Sequence, residues 1–180
     1  MARIRRNSIE KVLSLQSKVW KVGKYIRLSR DDGNNESESI INQRKILDEQ
    51  ISSYFDNDYD IVDEYIDDGR TGTSDDTRPD FLRLVQDVKD GKINCIVTKN
   101  LSRAFRNSAN QGNFLEEFIP VYNTRFISLY EPHIDTFLNP EIVHSLEVSI
   151  TGFINEQYAY KTSIDVRRTF DIKRKKGEFI

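Results

Sequence analysis

Two hydrophobic periods alternate along this chain, and that alternation narrows its fold more than any other feature. Short runs rich in Ile, Val and Tyr take turns with longer stretches whose apolar residues recur every three or four positions. Residues 22–29 read as a first strand, and residues 30–37 as a polar loop with Gly33 and two Asn. Residues 39–55 carry Ile40, Ile41, Ile46, Leu47 and Ile51 at helical spacing. Residues 59–66 form a second strand, followed by a Gly, Thr, Ser and Asp-rich loop over 67–77. Pro79 suits the first turn of a helix, and Phe81, Leu82, Leu84, Val85 and Val88 make an apolar stripe that stops at Gly91. The run 93–99 is a β-branched strand, apolar enough to be buried on both faces. A helix over 109–122, ending near Pro120, and a strand over 125–130 complete the alternation, with a loop over 131–139.

Strands separated by helices make a mainly parallel sheet of about four to five strands, flanked by helices, in the α/β class. From Pro140 no breaker appears until Gly177, so the chain closes with a long helical pattern of about 37 residues. The organisation expected is an extension over 1–20, an α/β domain over 21–137, and a long C-terminal helix over 138–180. In parallel sheets of this kind ligands gather beyond the carboxyl ends of the strands. Ser29, the 67–78 loop and Arg103 all follow strands, so they should meet at that edge.

Composition excludes several classes. There is one cysteine, Cys95, so no internal disulfide can form, which suits a reducing cytoplasm. The two histidines, His133 and His144, have no cysteine partner at metal-binding spacing, so zinc is not expected. No apolar run approaches the ~20 residues of a membrane span. The basic residues of the N-terminus precede an amphipathic stretch over 8–20, not a continuous apolar one, which argues against a secretory signal. Net charge is −2, but basic residues gather at both ends while acid dominates 31–68. A local phosphate-binding surface can exist inside such a whole.

The run Tyr25-Ile26-Arg27-Leu28-Ser29 places Tyr25, Arg27 and Ser29 on one side of a strand. A hydroxyl beside a guanidinium is a minimal kit for attack on phosphate, because arginine pairs bidentately with phosphate oxygens. Four further motifs follow in order: Ser39-Ile40-Ile41-Asn42-Gln43-Arg44, Asp67-Asp68-Gly69-Arg70-Thr71-Gly72-Thr73, Arg78-Pro79-Asp80-Phe81 and Leu101-Ser102-Arg103-Ala104-Phe105-Arg106-Asn107.

Together these resemble the catalytic domain of serine site-specific recombinases, most nearly the large recombinases of mobile elements, over residues 22–180. The resemblance implies that Ser29 attacks a DNA phosphodiester and leaves a phosphoserine link with a free 3′ hydroxyl. It implies that Arg27, Arg78, Arg103 and Arg106 neutralise the phosphate, that Gln43 orients the phosphate or the serine, and that Asp68, or Asp67 beside it, holds an arginine. It also implies a homodimer that pairs into a synaptic homotetramer on duplex DNA, with no metal, cofactor or ATP. The first half of the C-terminal helix would pack on a partner subunit. Its basic end, Arg167, Arg168, Lys173, Arg174, Lys175 and Lys176, would track a DNA backbone. DNA-binding domains would follow beyond Ile180.

Other readings of the same residues stand beside these. Arg103 and Arg106 are neighbours on a helix face and could simply be solvated. Arg78 could pair with Asp75 or Asp76, and Gln43 could be an ordinary polar helix position. Two positions depart from the family. Ser102 stands where some members carry Asp, a proposed proton donor to the leaving oxygen, and Asn100 stands where large recombinases often carry Asp. Thr71 also replaces the more usual Ser. These departures motivate an alternative, an inactive dimerising module that regulates an active recombinase. A second alternative is a metal-dependent nuclease that holds Mg²⁺ through Asp31, Asp32, Asp67 and Asp68.

Overall fold

The computed structural model describes residues 19–27, 36–55, 58–67, 78–105 and 108–178. Its strands are β1 (Trp20–Arg27), β2 (Tyr59–Asp67), β3 (Cys95–Thr98), β4 (Arg125–Ser128) and β5 (Ile134–Asp135). They form one five-stranded sheet in the order β2-β1-β3-β4-β5. All neighbours are parallel except β5, which runs antiparallel to β4. The expected sheet is therefore present, and β5 is an addition taken from the stretch read as a loop. Two residues carry too little pattern to reveal it; just beyond the pairing, the Thr136 hydroxyl accepts from the Phe126 N–H at 2.9 Å.

The helices are α1 (Glu36–Phe55), α2 (Pro79–Lys89), α3 (Leu101–Ala104), α4 (Ser108–Gly112), α5 (Ile119–Val121) and α6 (Leu146–Lys175). Strand alternation sorts two cores. Val22 and Ile26 of β1 and Cys95 and Val97 of β3 pack with Leu47, Ile51 and Phe55 under α1. Tyr25, Tyr65 and Ile96 face the opposite side, against Leu84, Val88, Phe105, Phe114 and Leu115. Gly23 lies on that second face, where a Cβ would sit 2.8 Å from Ile93 Cδ1 and 3.0 Å from the Tyr65 ring. Only hydrogen fits there.

Two helical expectations change. A wider π-type segment, Asn113–Phe118, joins α4 to α5 within a helical run that ends at Val121, one residue past Pro120, where the sequence places its end. Proline cannot donate to the preceding turn, and a widened turn is one way a helix absorbs that loss. The long C-terminal pattern also splits. Pro140–His144 is a separate 3₁₀ turn, and Ser145 starts α6 by accepting the Val148 N–H on its side chain at 3.2 Å. Gly177, at φ 71°, ends α6 in the left-handed conformation that suits glycine after a helix.

Among the described residues, helix α6 is anchored through its first three turns. Val148 is buried, its carbonyl accepts from Gln111 Nε2 at 2.9 Å, and Gly152 lies against the same Gln111 amide. Beyond Gly152, Phe153, Ile154, Tyr158 and Tyr160 are exposed.

Candidate active site

With β1 lying between β2 and β3, the carboxyl ends of β1 and β3 border the crevice where parallel sheets bind ligands. Arg27 ends β1, and the segment 99–105 leaves β3 there. The residue pairing puts Tyr25 beside both Tyr65 and Thr98.

Arg27 does not extend freely into solvent. Its Nε donates to the Arg103 carbonyl at 2.9 Å, and its Nη2 donates to the Ser102 carbonyl. Arg78, the residue preceding α2, reaches the same turn and donates through Nη1 to the Ala104 carbonyl at 2.6 Å. A helix end leaves its last carbonyls without intrahelical partners, and here two guanidiniums satisfy those of α3. The negative end of the helix and the two cations are also electrostatically matched. The Arg78 guanidinium carbon lies 4.1 Å from the Phe81 ring centroid, so the ring fixes its second face.

At its other end α3 is capped by Asn100, whose extended backbone turns the chain out of β3. Asn100 Oδ1 accepts the Ser102 hydroxyl at 2.9 Å and the Arg103 N–H at 3.2 Å. Leu101, Ala104 and Phe105 bury the apolar side of the turn. The Ser102 hydroxyl is thereby a donor to Asn100.

Asp67 ends β2 and is buried. One carboxylate oxygen accepts the Asp80 N–H at 3.1 Å; the other accepts the Phe81 N–H at 3.0 Å and the Tyr25 hydroxyl at 2.9 Å. This carboxylate caps the first turn of α2 and so sets the position of Arg78. Three of its roughly four acceptor directions are filled by these donors. Burial pushes the Tyr25 hydroxyl well above the ordinary tyrosine range, and the Asp67 charge adds to it against the opposing effect of Arg78 and Arg27. Tyr25 therefore stays protonated and serves as a donor.

The structure brings Arg27, Arg78 and Arg103 to one turn. Gln43 is buried on α1. Ser29, Asp68 and Arg106 lie outside the described residues, as do Asp31 and Asp32. Arg167, Arg168, Lys173, Arg174, Lys175 and Lys176 are all exposed at the far end of α6. Beside Arg78 opens a cleft of about 340 Å³ whose apolar wall is Phe81, Leu82, Phe105, Phe114 and Phe118. Two roles escape the sequence reading. Asp67 is named there beside Asp68 and as a candidate magnesium ligand, whereas the structure makes it the cap of α2, twelve residues further along at Pro79. Glu156 of α6 accepts the Ser108 hydroxyl at 2.6 Å, tying α6 to the segment just beyond Arg106. No sequence pattern marks that contact.

Among the described residues no cluster of three or more His, Cys, Asp or Glu side chains is placed to hold a metal ion. None of their helices is long and apolar enough to cross a membrane.

The class that fold and site define is a doubly wound α/β domain with arginines converging on one strand-end turn. The comparisons give the family. The model described as "Resolvase, N terminal domain" matches residues 22–179, and the chain belongs to that family of serine recombinase catalytic domains. Among solved structures, a resolvase family site-specific recombinase from Streptococcus pneumoniae is 27% identical with a TM-score of 0.58, covering 84% of this chain and 99% of that one. The N-terminal catalytic domain of TP901-1 integrase is 22% identical with a TM-score of 0.52, covering 83% and 98%. The C-terminal catalytic domain of ISC1926 TnpA, an IS607-like serine recombinase, is 18% identical with a TM-score of 0.52, covering 88% and 99%. The last two likenesses concern the fold alone. A search of curated proteins found no match.

Proposed function

We propose that this domain cleaves and rejoins DNA strands through Ser29, as a recombinase that excises or integrates a mobile element. The Ser29 oxygen attacks the scissile phosphorus, a new phosphorus–oxygen bond forms to the 5′ side, and the bond to the 3′ oxygen breaks. The serine gives up its proton and the departing 3′ oxygen gains one. Because one phosphoester replaces another, the reverse attack by a 3′ hydroxyl reseals the strand with no ATP.

The observation that carries this reading is the convergence of Arg27 and Arg78 on the turn that bears Arg103, in a chain of the resolvase family. Arginines are poor bases, being charged almost always. Their contribution is to stabilise charge on the phosphate oxygens in the transition state, where loss of one such contact costs about 10²-fold or more in rate. Arg106 from the same motif and Gln43 complete the set, with Asp68 holding an arginine and Asp67 fixing the first turn of α2 beside Arg78.

The exposed apolar residues near the start of α6, Leu146, Ile150, Phe153 and Ile154, favour assembly into a homodimer and a synaptic homotetramer. The exposed cations at its end suit a DNA backbone. Asp67 is already engaged by three donors, which weighs against its use as a magnesium ligand. The reaction is placed in the cytoplasm, without a metal.

The test is covalent capture. The full-length protein is mixed with a library of random-sequence duplexes in the presence of EDTA, denatured with detergent, and the DNA still attached is sequenced. An enriched duplex joined to Ser29 is expected, together with none from Ser29→Ala. An adduct that persists in Ser29→Ala would overturn the assignment of the nucleophile. A full-length protein that gives no adduct with any duplex would instead support the regulatory-module reading.

A further inference from the structure

The turn of α3 is held from both ends by chemically different means. At its C-terminal end two cations occupy the carbonyls of Ser102, Arg103 and Ala104. At its N-terminal end a single uncharged oxygen, Asn100 Oδ1, gathers the Ser102 hydroxyl and the Arg103 N–H. A four-residue helix is too short to persist through its own hydrogen bonds, because nucleation is unfavourable. Its geometry is therefore set by these flanking contacts and by the burial of Leu101 and Ala104.

We infer that Asn100 is the positioning residue for Arg103, acting through the turn and without touching the phosphate. This rests on the recombinase reading given above. The chain leaves β3 at Thr98, so Asn100 is the last residue able to fix the angle at which α3 departs from the sheet. Without its side-chain oxygen, Arg103 N–H keeps only the Asn100 carbonyl, at 3.1 Å. The Ser102 hydroxyl loses the acceptor that orients it. The turn then rotates about the hold of Arg27 and Arg78, and the Arg103 guanidinium spreads over several directions. Effective placement of a catalytic group falls steeply with such spreading.

The amide and a carboxylate present the same oxygen to the two donors, whereas alanine presents none. Asp and Ser are also good helix caps and Ala is not. The cap has a second consequence for Ser102: its hydroxyl hydrogen points at Asn100, leaving an oxygen lone pair for another partner.

The experiment uses the full-length protein and the duplex recovered by covalent capture, so failure of capture would reject the recombinase reading before this one is examined. Asn100→Ala, Asn100→Asp and Asn100→Ser are compared with wild type for noncovalent affinity to that duplex and for the single-turnover rate of adduct formation. Exchange of the Arg103 amide with deuterium is followed in parallel. Asn100→Ala should form the adduct about tenfold more slowly, on the scale of a lost cap, with affinity within about twofold of wild type and faster Arg103 exchange. Asn100→Asp and Asn100→Ser should stay within about threefold of the wild-type rate, since each restores the acceptor. The inference is overturned if Asn100→Ala reacts at the wild-type rate. It is also overturned if affinity and rate fall together in that variant, or if Asn100→Asp and Asn100→Ser are as slow as Asn100→Ala.

Discussion

Replacing Tyr25 with Phe removes one hydroxyl and tests how the arginine site is coupled to the core. The Tyr25 hydroxyl is buried and donates at 2.9 Å to Asp67, a buried carboxylate whose other donors are the Asp80 and Phe81 N–H groups. A hydrogen bond to a charged group contributes about 1.5–3 kcal/mol, and the ring's apolar burial is unchanged in Phe. Because Asp67 keeps both backbone donors, it is not stranded, and a loss of about 2 kcal/mol is expected. With a urea slope near 2 kcal/mol/M for a domain of this size, the unfolding midpoint should fall by about 1 M.

The loss should not vary across neutral pH. Burial and the Asp67 charge raise the folded-state value of Tyr25 above its unfolded value. The stability this contributes is fully present below the unfolded value, about 10, and is lost as pH rises from there through the folded value. The gap between wild type and Tyr25→Phe is therefore flat to about pH 10 and narrows above it. A double-mutant cycle with Asp67→Asn should show a coupling of about 1–2 kcal/mol. A Tyr25→Phe midpoint within about 0.2 M of wild type, or strictly additive variants, would refute the coupling.

Three other outcomes follow from single contacts. Asp135 accepts from Arg125 at 3.0 and 2.6 Å and from Tyr54 at 2.8 Å, and the pair is buried on both sides. Breaking such a pair with Asp135→Asn should cost about 3–5 kcal/mol by urea unfolding. Burial pushes the Asp135 carboxyl up, but the Arg125 hydrogen bonds and charge outweigh it and leave it below the ordinary range. Its contribution is thus present above the unfolded value, about 3.9, and lost as pH falls through the folded one; a deficit in Asp135→Asn that did not shrink in acid would contradict this. Gly23→Ala forces a methyl to within 2.8 Å of Ile93 and 3.0 Å of Tyr65, so melting should show a loss of about 1–3 kcal/mol; an unchanged Tm would mean the core around Ile93 and Tyr65 is looser than described. The Thr98 hydroxyl is fully buried beside Tyr25 and has no hydrogen-bond partner among the described residues. Thr98→Val should therefore raise stability by about 1 kcal/mol, and a lowered Tm would show that the hydroxyl is satisfied in solution.

Much of this fold was legible because its elements are locally encoded. The strand around Tyr25 and Ile26, the Ile-rich helix before Phe55 and the stripe from Phe81 to Val88 each declare their period within a dozen residues. What was missed has no local period. Strand β5 is two residues long and exists only because β4 offers an edge. The division at Ser145 turns on one side-chain cap within an otherwise continuous helical pattern. Asp67 was hard to weigh because its partners, Tyr25 and the first turn of α2, are distant in sequence. Asn100 looked like a departure from a family pattern, and only its two hydrogen bonds show what the side chain does.

The order of residue types along the chain by itself determined the α/β class, the parallel sheet and the strand-end location of the arginine motifs. Periodicity and chain-crossover rules are properties of neighbouring residues, so they can be read without coordinates. The five motifs also carried the family. The tertiary structure decided how the arginines are held. That Arg27 and Arg78 both grip the carbonyls of one turn depends on where β1, β3 and α2 end in space. It also depends on a buried carboxylate and an uncharged cap from two other segments. Hydrogen bonds are short and directional, and a linear sequence contains no distances.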